Sequence, residues 1–92
     1  MKEFCNMKEL ERQLKALANG RRLAIVKFLQ KRGPVSVGEI AKEIKLSLKS
    51  TSRHLAVLSS ADILQKQQRD LYVFYFLSKS QHPIAKSVIS MC

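Results

Sequence analysis

The sequence predicts a mainly α domain with a β-hairpin near its C-terminal end, in the order α-α-α-α-β-β-α. Three observations predict it. Apolar residues recur every three to four positions up to about residue 60, the period of a helix packed on one side. Two short amphipathic segments, one starting near Ser36 and one near Ser47, are separated only by Lys45-Leu46, which leaves room for nothing but a tight turn. Beyond Asp62 the pattern changes to "ILQKQQ" and "LYVFYFL", rich in aromatic and branched residues and split by "RD". At 92 residues the chain forms one domain, 1–92, with a small core.

The elements follow in order. Leu10, Leu14 and Leu17, with Met7 one turn earlier, predict a first helix over about 3–18. "ANG" interrupts it, and Asn19 has the short acceptor side chain that caps a following helix over about 20–32. Arg32-Gly33-Pro34 is a helix end followed by a breaker. Ser36 and Glu39 form an S-x-x-E capping box, after which Val37, Ile40, Ala41 and Ile44 make an apolar stripe. Ser47 caps a fourth helix to about residue 60, with Leu48, Thr51, Leu55 and Leu58 on its inner face. Lys49, Arg53 and Ala56 point the opposite way, flanked by Ser50 and Ser52, and His54 falls on the boundary. Two short helices joined by about three residues make a helix-turn-helix, and the hairpin after it is a wing. "SQHPIAKSVISMC" closes the chain as a helix over about 81–91, with Pro83 near its first position. The whole order is that of a winged helix-turn-helix.

Charge narrows the function. The net charge is +10, from 17 Lys and Arg against 7 Asp and Glu. No acid lies between Glu11 and Glu39, where Arg12, Lys15, Arg21, Arg22, Lys27, Lys31 and Arg32 fall. None lies between Glu43 and Asp62, where Lys45, Lys49 and Arg53 fall. Such a chain is expected to meet a nucleic acid. No apolar run approaches the roughly 18 residues that span a bilayer, and "MKEFCNMKELERQ" is too charged for a signal peptide, so no membrane partner and a cytoplasmic location are expected.

The stretch "LSLKSTSRHLAVL" carries the chemistry. Ser50 and His54 are four residues apart on a helix, the spacing of a nucleophile and a base. No acid between Glu43 and Asp62 is available to orient the imidazole, and there is no G-x-S-x-G context. Enzymatic activity is therefore not expected. The alternative is a surface laid against DNA. A helix-turn-helix seats its second helix in the major groove. Small side chains there allow close approach, and hydroxyls and the helix N-terminus bond phosphates. Lys49, Ser50, Ser52 and Arg53 are the expected base and groove contacts, with Ser47 and His54 on the backbone. Lys66, Gln67, Gln68 and Arg69 at the wing are placed to touch backbone or minor groove. His54 has two readings, a phosphate contact or a residue packed on the third helix.

"LKALANGRRLAIVKFL", "VSVGEIAKEIKLSLKSTSRHLAVL" and "YVFYFLS" together resemble the ArsR/SmtB-type transcriptional repressors over about residues 10–78. The resemblance implies a homodimer, built by the first and last helices, on a two-fold symmetric double-stranded operator, released by a chemical signal. The apolar stripes of those two helices fit that role independently; the alternative is that they complete a monomer core.

The chain also departs from the family. The resemblance implies metal ligands as a Cys-x-Cys box in the third helix or a His/Asp set in the last. Here "VSVGEIAKEI" has no thiol, His or Asp, and the last helix offers only His82. No cofactor or metal is expected. Cys5 and Cys92 are the remaining sensor candidates, either as a reversible disulfide or as two unpaired thiols near the chain ends. The family usually has Gly where Lys45 and Asp62 stand, which implies positive φ at both. Thr51 replaces an apolar residue, and its hydroxyl is expected to bond back to a backbone carbonyl. Two other functions compete: a winged-helix adaptor for proteins and an RNA binder, the latter without a stacking platform. An adaptor has no reason to keep Lys49 and Arg53 free of neighbouring acids.

Overall fold

The computed structural model describes residues 6–91; Cys5 and Cys92, and with them the disulfide reading, lie outside the described residues. Five helices and three strands follow in the order α1 (Met7–Leu17), α2 (Gly20–Arg32), β1 (Val35–Ser36), α3 (Val37–Ile44), α4 (Leu48–Ser60), β2 (Leu64–Arg69), β3 (Tyr72–Leu77) and α5 (Pro83–Met91). Among the described residues, no helix is long and apolar enough to cross a membrane.

Caps set the boundaries. Helix α1 starts at Met7, where Asn6 is extended and its side chain accepts the Glu9 N–H at 3.1 Å, and residues 3–5 of the expected first helix lie outside the described residues. Asn19 does the same for α2 through Arg22 N–H, and Gly33, at φ 78, ends that helix in a conformation that suits glycine. The Ser36–Glu39 capping box is formed in both directions, at 3.3 and 3.2 Å. The Glu39 carboxyl titrates below its ordinary value, chiefly because the Ser36 N–H donates to it, with Arg32 adding a nearby cation. Helix α5 begins at Pro83, two residues later than about 81, and His82 Nδ1 accepts the Ile84 N–H at 3.1 Å.

The wing has a third strand. β1 pairs antiparallel with β3, Val35 opposite Tyr75 and Ser36 opposite Phe74, giving the order β1-β3-β2. The hairpin turns at Asp70-Leu71 instead of Arg69-Asp70, since Arg69 stays in register opposite Tyr72. Asp70 takes φ 53 there. Only Leu64 of β2 is buried; the rest of that strand projects into solvent.

The core gathers Ile25, Val26 and Leu29 of α2, Val35, Ile40 of α3, Leu55 and Leu58 of α4, and Ile63. It also holds the polar side chain of Gln13, which donates to the Ala61 carbonyl at 2.6 Å and to Glu9 at 2.9 Å. Thr51 is buried with its neighbours, but its hydroxyl has no hydrogen-bond partner among the described residues, contrary to the expected bond to a carbonyl. The hydroxyl stands at an apolar position of the α4 face, where an aliphatic side chain would cost no desolvation.

Candidate nucleic-acid interface

Helix α4 is presented by a tight turn. Lys45 adopts the left-handed conformation, φ 56 and ψ 54, and the Leu46 N–H reaches back to the Ala41 carbonyl at 3.0 Å. Arg21 reinforces the turn from α2, donating to the Ile44 carbonyl at 2.9 Å. Ser47 then caps α4, its Oγ accepting the Ser50 N–H at 3.1 Å. The first turn of α4 contains no acid, so the partial positive charge of its N-terminus is not neutralised.

Three residues of α4, Thr51, Leu55 and Leu58, form the face turned to the core. Leu48 does not join them: it is 60% exposed, because the inner face begins a turn later. Lys49, Ser52 and Arg53 lie together on the exposed side, with Ala56 beyond and Ser50 half-buried at the edge. Among the described residues, none of the Lys49, Ser52 or Arg53 side chains has a hydrogen-bond or ion-pair partner. Lys66, Gln67, Gln68 and Arg69 are all exposed on β2, and their side chains again have no hydrogen-bond or ion-pair partner among the described residues.

The arginines of α1 and α2, with Lys15, contrast with these, whereas Lys8, Lys27 and Lys31 are exposed and their side chains have no partner among the described residues. Arg12 donates to the Ser60 carbonyl and pairs with Glu9 at 2.9 Å and Asp62 at 3.2 Å. Lys15 pairs with Glu11 at 3.5 Å, and Arg32 with Glu39 at 3.4 Å while lying over the Phe28 ring. Arg22 is half-buried and donates to the carbonyls of Ala16 at 2.6 Å and Lys15 at 3.1 Å. The acid-free window between Glu11 and Glu39 is therefore not one continuous binding face. Sequence reasoning could not see this, because the carbonyls that hold Arg12, Arg21 and Arg22 are brought to them by the fold.

His54 is fixed by the same network. Its Nδ1 lies 3.1 Å from Arg22 Nη1 and accepts from it, which places the ring proton on Nε2. The ring thus joins α4 to α2. Burial lowers its pKa below the ordinary imidazole value, and the Arg22 and Arg21 charges lower it further. With Arg22 as its hydrogen-bond partner and no carboxylate bonded to it among the described residues, the ring is not arranged as a general base for Ser50. Among the described residues, no cluster of three His, Cys, Asp or Glu side chains could hold a metal.

Comparison with known proteins agrees with this geometry. The family described as helix-turn-helix domain matches residues 17–67. The transcriptional activator HlyU of Vibrio cholerae is 35% identical over 83 residues, covering 83% of this chain and 76% of its own length. The solved HlyU structure superposes with a TM-score of 0.80 at 33% identity, over 99% of this chain and 92% of that one. The arsenical resistance operon repressor of Bacillus subtilis is 27% identical over 75 residues, 82% of this chain and 71% of the repressor. The structure of the transcriptional repressor BigR of Xylella fastidiosa matches with a TM-score of 0.76 at 28% identity, over 92% of this chain and 81% of that one. The chain belongs to the helix-turn-helix family and, within it, to the ArsR-type winged helix-turn-helix transcriptional regulators.

Proposed function

We propose that this regulator acts in the cytoplasm as a homodimeric repressor that seats α4 of each protomer in successive major grooves of a two-fold symmetric operator. Lys49, Ser50, Ser52 and Arg53 contact base edges and groove walls, and the Ser47 hydroxyl and the His54 Nε2–H donate to phosphates. Lys66, Gln68 and Arg69 of the wing touch the adjacent backbone. The observation that carries this reading is the set Lys49, Arg53, Lys66 and Arg69, whose side chains have no partner among the described residues, whereas the four arginines of α1 and α2 are engaged within the chain. Four unpaired cations on one helix and its wing form an electrostatic footprint for a polyanion.

Dimerisation follows from the other exposed surface. Helix α1 packs on α5, yet Met7 is 73% exposed, Leu14 46% and Met91 80%. Met7, Leu10 and Leu14 line a shallow apolar groove along α1, a surface suited to the same helix of a second copy. In such a dimer the two α4 helices address half-sites about one helical turn apart, roughly 34–36 Å.

The test is an anisotropy titration against the DNA flanking the chain's own gene, with a shuffled duplex as control, at two salt concentrations. Specific binding that weakens steeply with salt is expected. Equal weak binding to both duplexes would remove the operator and favour a protein-binding module.

A further inference from the structure

Of the exposed residues of α4, Lys49, Ser52, Arg53 and Ser60 are polar, Ala56 and Val57 stand in its second half, and one large apolar residue stands at its start. Leu48 opens the helix and is 60% exposed, while Thr51, Leu55 and Leu58 take the inner face. Its surface neighbours are Lys49 and, one turn on, Ser52, both exposed and without partners among the described residues. A lone exposed leucine is ordinary on a protein surface; the position of this one is not. The N-terminal residues of a recognition helix come closest to the base edges. A leucine there offers no hydrogen bond, and the apolar feature that the major groove presents to it is the C5 methyl of thymine.

We infer that Leu48 is a specificity-determining residue that packs against a thymine C5 methyl at one position of each half-site, beside the polar contacts of Lys49, Ser52 and Arg53. This inference rests on the DNA reading of α4 given above. The methyl leaves water on one side and the leucine on the other, so the contact discriminates without any donor or acceptor.

The experiment starts by selecting duplexes from a randomised pool with the full chain. Each thymine of the enriched duplex is then replaced singly by uracil, which lacks only the methyl group, and affinities are read by anisotropy. One position per half-site is expected to weaken binding about three- to fivefold, the scale of burying one methyl-sized group. Leu48→Ala is expected to bind the thymine and uracil duplexes equally, and Leu48→Met to retain the difference. Both variants should melt like the parent, since the side chain is outside the core. Tolerance of uracil at every position, or the same penalty in Leu48→Ala, overturns the role of Leu48 and leaves DNA binding standing. Failure to enrich any sequence overturns the sequence-specific reading itself and Leu48 with it.

Discussion

Single residues set the turn and the joint that hold α4. Lys45 stands at φ 56, where a β-carbon crowds the backbone. Its side chain has no partner among the described residues, so Lys45→Gly is expected to remove strain and lose little else, stabilising the domain by about 0.5–1 kcal/mol. A thermal melt raised by a few degrees is the expected result; a lowered melt would contradict it. His54 gives a second prediction at this scale. Its folded-state pKa is lowered, so protons bind the unfolded chain first as the pH drops through about 6.5. The unfolded state is then favoured, and stability falls from pH 7.5 to pH 5.5, a window kept above the carboxylates. In His54→Gln that loss should shrink; an unchanged pH slope in chemical denaturation would assign it elsewhere. The positive φ of Lys45 and Asp62 was legible in the sequence because each stands where the resembling family has glycine. The Arg22–His54 contact was not, because it joins residues 32 apart through the packing of α2 on α4.

At the scale of elements, caps and breakers were the most legible features. Asn19, Ser36 with Glu39, Ser47 and Pro83 each mark a boundary through a local hydrogen bond or a missing donor, and such signals need no tertiary context. Strand β1 was illegible for the opposite reason. It has two residues, and Ser36 serves both as a strand residue and as the cap of α3. Its pairing partner β3 lies nearly 40 residues away in sequence, so no local pattern announces it. Leu48 was misplaced because helical periodicity fixes an angle around the helix but not where along it the core begins. Removing the cap tests the element directly. Ser36→Ala takes away the acceptor for Glu39 N–H and is expected to cost about 1 kcal/mol. The loss of that bond should appear in the denaturation midpoint; an unchanged midpoint would show that the box contributes nothing.

For the whole molecule, the engaged arginines link the surface proposed for dimerisation to the surface proposed for DNA. Arg12 carries α1 to the end of α4 through Ser60 and Asp62, and Arg22 carries the end of α1 to His54 in the middle of α4. Gln13 adds a buried tie to Ala61. Helix α1 is therefore bolted along the back of the recognition helix, and whatever pairs two copies of α1 fixes the separation of two copies of α4. Replacing Leu14 by Glu places a charge in the α1 groove without entering the core, since that side chain is already 46% exposed. The variant is expected to fold with a near-parental melt and to sediment as a monomer at concentrations where the parent is a dimer. Its affinity for the operator should fall by orders of magnitude, because each α4 then binds one half-site alone and loses the effective concentration that the partner supplies. Its salt dependence should fall too, by about one power of salt concentration for every phosphate no longer neutralised. Sedimentation velocity and anisotropy on the same preparations check both halves. A Leu14→Glu chain that still sediments as the parent dimer would move the interface away from α1. One that sediments as a monomer yet binds with parental affinity and salt slope would show that a single α4 and its wing suffice.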